Sequence, residues 1–432
     1  MKQDFPLILL SLLTFSLWYY QFSTPMVTTV YLVIFLFLWL FRRPVIEYVV
    51  VILFSVMADR TVIEIDYILL GILAIGVLIW RIRKKEIKFG RLLFVLVIFL
   101  FYATLSVSWA PVKSDALVGV FMMLEGYLLY FVLTNSEYQP HEKNKNYIAI
   151  VASIVMFTLT MEIGSIYLKN GFIDTLYNKS LLDLGWAYSN FFAVIYPLLL
   201  PVALSKYLDK RAYHPIYFIM DLLNVFGLIL TQSRGAMVGA FVGIVLYLPF
   251  TLNPSFMKRY YPILLGLGMV TFYYFNPYIS EIVDRFIRLE FFDDNNRFPL
   301  YELGIQKFLE KPIFGHGMKS SQYFIKTVLQ RGNHYYHNYW IQIAATLGVV
   351  GLLLQGWLHY LMVKIFARKN VFIICLGLGV LSGLAHQMVD VSYDRFFFGL
   401  YMYAIIGVVE LFRHFDQDDS YQFKSFAWGA NH

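Results

Sequence analysis

Apolar segments long enough, or nearly so, to cross a bilayer follow one another along most of this chain, with short polar breaks between them. The pattern predicts helices over Pro6–Phe22, Pro25–Phe41, Val45–Ala58, Asp66–Trp80, Leu92–Ala110, Asp115–Thr134 and Tyr147–Leu168. Further helices are predicted over Trp186–Leu204, Pro215–Leu230, Ala236–Leu252, Tyr261–Tyr278, Tyr339–Val363, Val371–Val389 and Phe396–Phe412. The first segment follows Lys2 as a signal peptide would, but no small-x-small cleavage site closes it, so it reads as a retained span. The expected fold is an all-α integral membrane protein, a polytopic bundle of about 14 transmembrane helices. Its organisation reads as an N-terminal membrane half (1–214), a catalytic membrane half (215–412) and a cytoplasmic tail (413–432).

One long polar interval, Tyr278–Asn338, interrupts the pattern between the eleventh and twelfth segments. A connection of this length is uncommon and is usually functional or disordered. Phe, Tyr, Ile and Leu recur through it, which disordered segments lack, so residues 279–338 are expected to form a folded, partly helical cap outside the cytoplasm. Within it, Tyr301, Ile305, Phe308 and Leu309 alternate with Glu302, Gln306, Lys307 and Glu310 at amphipathic helical spacing. Pro312 ends that helix.

Composition agrees: 59% of the 432 residues are hydrophobic and only 15% charged, which excludes an ordinary soluble domain. The net charge of +7 would suit nucleic acid, but the basic residues gather in alternate breaks, as at Arg42-Arg43 and in the cluster Arg81, Arg83, Lys84, Lys85 and Lys88. That is the positive-inside pattern; it puts both termini in the cytoplasm and the long loop outside, away from nucleotide sugars and nucleic acid. The single cysteine, Cys375, allows neither an intramolecular disulfide nor a Cys-based metal site.

Ionisable residues at span ends are costly and so become functional candidates. Arg234 lies in Thr231-Gln232-Ser233-Arg234-Gly235, between two spans with almost no loop, on the side where Arg is scarce; its plain alternative is an arginine that snorkels to water. Arg297 follows Asp293 and Asp294 and could simply pair with them. Asp390 lies deeper than the neighbouring Asp394 and Arg395, which could pair with each other. His316 sits between Gly315 and Gly317, where a structural turn is equally open. His334 and His337, three apart, invite a zinc reading, but no HExxH pattern and no nearby Cys supply a third ligand, so no metal is expected. An imidazole near the end of the loop is instead suited to accept a proton at neutral pH.

His337-Asn338, nine residues and then Gly348-Val349-Val350-Gly351 resemble the H-N-x9-G-x-x-G signature of the O-antigen ligase and polymerase family. Leu230–Arg234 resembles that family's arginine-bearing turn. Arg297 with Tyr301–Gly304 and Lys311–Gly315 resembles the start of its periplasmic loop, and Asp390 an acidic residue near its penultimate span. The resemblance covers Leu228 to Arg395. It implies a bacterial inner-membrane glycosyltransferase with its active site outside the cytoplasm. The donor would be a glycan on undecaprenyl pyrophosphate, its pyrophosphate held by Arg234 and Arg297, and His337 would activate an acceptor hydroxyl. Inversion without metal or other cofactor is implied, with Asn338, Asp390, Arg395, His334 and His316 in support. A repeat-unit polymerase for O-antigen, capsule or exopolysaccharide leads. A ligase that moves finished polymer to lipid A core or another acceptor is the alternative within the class, and a lipid-linked sugar flippase the alternative outside it. Partners would be the lipid-linked donor, a glycan or lipid-linked acceptor, membrane lipids and a chain-length regulator.

Overall fold

The computed structural model describes residues 24–40, 44–58, 65–138, 140, 144–184, 187–208, 215–251, 297–332, 335–367, 370–388, 390–391 and 396–412. Among these the protein is helical throughout, with one isolated bridge, Asp183–Tyr188, and no strand. The first half holds α1 (Thr24–Leu40), α2 (Val45–Ala58), α3 (Ile65–Lys84), α4 (Arg91–Ser106), α5 (Lys113–Asn135) and α6 (Asn144–Asn170). Two short helices, α7 (Phe172–Tyr177) and α8 (Ser189–Phe192), lead into α9 (Ile195–Leu204), α10 (Pro215–Leu230) and α11 (Arg234–Thr251). Beyond them lie α12 (Arg297–Glu310), α13 (Ser320–Phe324), α14 (Tyr339–Phe366), α15 (Val371–Gln387) and α16 (Phe396–Leu411).

Each expected span that can be compared overlaps observed helix, although Trp186–Leu204 is divided into Ser189–Phe192 and Ile195–Leu204 and Tyr339–Val363 is broken within its length. Pro6–Phe22 and Tyr261–Tyr278 lie outside the described residues, as do residues 279–296 of the cap. Among the described residues, five segments are by length and composition apolar enough to cross a membrane: Arg91–Trp109, Lys113–Asn135, Asn144–Asn170, Ser189–Leu208 and Tyr339–Phe366. Shorter apolar helices surround them, which supports a membrane protein and leaves the figure of fourteen spans an expectation.

The core forms where small residues let helices close on each other. α9 and α11 pack on α15, with Gly239 and Gly243 of α11 against Ser382 and Gly379 and Gly383 of α15 against Leu198. Small residues at such crossings let backbones approach and gain dispersion energy, which drives association where lipid offers no hydrophobic advantage. α5 lies along α16, and α6 along α9 and α10. At one end of this bundle Arg81 is buried, its guanidinium donating to the carbonyls of Asn135 (2.5 Å) and Ser136 (3.2 Å). A cation on the open carbonyls of a helix C-terminus is favourable.

One expected span is corrected. Tyr339–Phe366 is not a straight helix: Gly348 has φ 65° and ψ −163°, a conformation almost confined to glycine. The ring of His359 lies 6.0 Å from that of Tyr339 and 5.4 Å from that of Trp340. In a straight helix residues 20 apart would be separated by about 30 Å. The chain therefore reverses at Gly348, and residues 339–347 fold back on 349–366. Gly351 packs directly on Leu347, where a Cβ would collide.

The segment Lys311–Gly317 closes this apex. The amides of His316 and Gly317 donate to the carbonyls of Ala345 (3.0 Å) and Thr346 (2.8 Å), and those of Val349 and Val350 donate to Pro312 (2.8 Å) and Ile313 (3.2 Å). Tyr102 adds its hydroxyl to the Leu347 carbonyl at 2.7 Å. A helix broken in mid-segment exposes backbone groups that hydrocarbon cannot satisfy. Here the loop does so, which is why a reversal is tolerated.

Candidate functional site

His337 immediately precedes α14 and has φ +53°, a left-handed conformation uncommon outside glycine. Asn338 starts the helix: its side-chain oxygen caps α14 by accepting from the amides of Trp340 (3.1 Å) and Ile341 (3.2 Å). Its amide donates to the Met388 carbonyl at 3.0 Å, tying the start of α14 to the end of α15. Across that tie, His337 Nδ1 lies 3.0 Å from Asp390 Oδ1. The Val391 amide donates to the same carboxylate oxygen at 2.9 Å. On the other side Arg297 Nη2 stands 3.9 Å from Asp390 Oδ2.

Arg297 opens α12, and Tyr301 one turn on shares its face. The Tyr301 hydroxyl bonds the Arg297 side chain and approaches the His337 carbonyl at 3.4 Å. Burial pushes the Asp390 carboxyl up, but the His337 hydrogen bond and the positive groups around it, Arg297 among them, outweigh burial and hold it well below the usual carboxylate range. An ionised carboxylate only accepts hydrogen bonds, so His337 carries its proton on Nδ1 and presents Nε2 as the basic nitrogen. This is the arrangement by which a carboxylate orients a histidine base.

Arg234 is the first residue of α11, after a tight turn in which Gln232 has φ +53°. The turn is held from several sides. Ser189 donates to the Thr231 carbonyl (2.9 Å), and Gln232 donates to Tyr167 Oη and the Thr175 carbonyl, both at 3.0 Å. Lys179 donates to the Gln232 carbonyl at 2.8 Å and to Asn190 Oδ1 at 2.6 Å. Its ammonium is pushed down to about 8, chiefly by burial; Asp390 opposes the shift, and Arg297 and Arg234 add to it. Lys179 thus lies close enough to Arg234, Arg297 and Asp390 to feel the charge of each. In the sequence Lys179 is an ordinary loop lysine, because nothing in Asn178-Lys179-Ser180 signals a partner 53 residues away.

The expected residues divide. His337, Asn338, Asp390 and Arg297 are brought together, and Arg234 is joined to them electrostatically through Lys179. His316 is not: its Nε2 faces the Lys307 carbonyl at 3.0 Å and Glu310 at 3.6 Å, and its ring meets Phe324 edge-on, within the support of the hairpin apex. His334 and Arg395 lie outside the described residues. Among the described residues no group of three or more His, Cys, Asp or Glu could hold a metal ion.

Helices of membrane-crossing length and a His–Asp pair beside several cations mark a membrane protein with a charged polar cluster. Residues 219–355 match the family model described as O-Antigen ligase, so this stretch, with Arg234, Arg297, His337 and the Gly348 apex inside it, is an O-antigen ligase family region. No curated protein matches the chain. The family match associates the chain with glycan transfer in polysaccharide biosynthesis.

Proposed function

We propose that this protein transfers a glycan from an undecaprenyl-pyrophosphate donor to a hydroxyl of an acceptor sugar, on the extracytoplasmic side of a bacterial inner membrane. The observation that carries the reading is the His337–Asp390 pair set beside Arg297. His337 Nε2 takes the proton of the acceptor hydroxyl as its oxygen attacks the anomeric carbon. The bond from that carbon to the pyrophosphate oxygen breaks, and undecaprenyl pyrophosphate leaves with the electron pair. Attack opposite the leaving group inverts the anomeric centre. Arg297 and Arg234 offer forked, permanently charged donors to the phosphate oxygens, which stabilises the charge that develops as the group departs. Asp390 keeps the imidazole in the basic tautomer and stabilises the imidazolium that forms.

The leading assignment is a repeat-unit polymerase; the description of the matched family favours a ligase as the second reading. Both use this chemistry and differ only in the acceptor. Purified protein with a lipid-linked repeat as sole substrate separates them: chain extension supports the polymerase, and transfer only when a distinct acceptor is added supports the ligase. In either assay His337→Ala is expected to lose about 10²–10⁴-fold of the transfer rate while still binding donor. Wild-type transfer by that variant would remove His337 as the base.

A further inference from the structure

We propose that Lys179 is a third phosphate-contacting cation of the donor site, with one ammonium N–H reaching the pyrophosphate beside Arg234 and Arg297. The proposal rests on the donor reading and adds a residue to it. Three features of the site lead to it.

The first is donor count. An ammonium carries three N–H donors. Lys179 gives one to Asn190 Oδ1 and one to the Gln232 carbonyl, and among the described residues nothing takes the third. Both partners are neutral oxygens, so neither cancels the charge.

The second is charge balance. The electrostatic neighbours of Lys179 are Asp390, Arg297 and Arg234. Among the described residues, one carboxylate and two further cations act on Lys179. Gathering like charges in a half-buried site is costly unless an anion joins them. A diphosphate esterified at both ends, as in a lipid-linked sugar, carries one negative charge on each phosphorus and is the kind of anion such a group of cations attracts.

The third is placement. Lys179 is bonded to the backbone of Gln232, two residues before Arg234, on the turn that opens α11. Substrate held by Arg234 at this helix start, where the helix dipole also favours anions, lies beside the ammonium. Arg297 approaches from a different element, α12, so the three cations converge from three parts of the chain.

The expected signature is a pH dependence of donor affinity. In the free protein the ammonium loses its proton near pH 8. A bound pyrophosphate holds the proton on, so linkage weakens donor binding by up to roughly tenfold per pH unit above that point. Arg234 and Arg297 keep their charge throughout, and the phosphates are already ionised over this range.

The test measures binding of an undecaprenyl-pyrophosphate-linked monosaccharide, a diphosphate esterified at both ends, to the full-length detergent-solubilised protein between pH 6.5 and 9.5. The wild type should bind with affinity falling above about pH 8. Lys179→Met should bind about ten- to a hundredfold more weakly at pH 7 and show no alkaline fall, as loss of a charge-assisted hydrogen bond predicts. Lys179→Arg, whose charge does not titrate, should recover much of the affinity and keep it at pH 9. Lys179→Met with wild-type affinity, or an alkaline fall that persists in either variant, would overturn the assignment and reduce Lys179 to a tie for the turn. Failure of the wild type to bind this lipid at all would instead overturn the donor reading.

Discussion

At the scale of single residues, the proposed reaction turns on the His337–Asp390 pair. Asp390→Asn keeps the shape and one hydrogen-bonding oxygen but removes the charge, and its amide can donate to Nδ1 and so favour the wrong tautomer. Transfer is expected to fall by up to about 10⁴-fold with donor binding retained, because the arginines are untouched. A single-turnover assay beside a binding isotherm checks this; a parallel loss of binding would show that Asp390 instead holds Arg297 in place. At this scale the sequence was informative where residue type alone signals chemistry. An arginine on a loopless turn, a histidine at a span entrance and an aspartate at a span end all stood out. At His316 the flanking glycines suit a structural turn, and the loop they allow docks on the hairpin apex. Lys179 was invisible because its meaning comes from neighbours that only folding supplies.

Among the elements, the hairpin at Gly348 governs where His337 stands. Residues 339–347 rise only about 13 Å before the chain turns back, so the cap at Asn338 sits below the apex level. Gly348→Ala places a Cβ against the Ile313 carbonyl and forces a non-glycine residue into a glycine-only conformation. Strain of this kind costs on the order of 1–3 kcal/mol, and the clash adds to it. The variant should unfold at a lower temperature and lose transfer, although Gly348 touches neither base nor cation; thermal melting in detergent and a transfer assay report both. Full activity at unchanged stability would show that the apex does not position the site. Hydropathy could not reveal the reversal, since an apolar run folded in two has the composition of one that is straight. The glycine pair of the signature marked the place without saying what it does.

For the whole molecule the open expectation is orientation. Helix positions were legible because hydrocarbon demands long apolar runs, and observed helices track those runs closely. Sidedness rests on the distribution of Lys and Arg and puts the segment from α12 to α14 outside the cytoplasm. The native Cys375 is buried, so a cysteine introduced at the exposed Lys326 reports alone. It should react with an impermeant thiol reagent in intact cells from which any outer membrane has been removed; labelling only after lysis would invert the topology. The hairpin then bears on how the chain sits in the membrane. As one straight helix, the 28 residues of α14 would reach about 42 Å, well beyond the ~30 Å of hydrocarbon. Nothing within the segment repays the backbone groups lost on breaking it until residues 311–317 arrive to bond them. The break at Gly348 and the docking of residues 311–317 are therefore coupled: each leaves backbone groups unsatisfied without the other, and together they set the depth at which His337 stands.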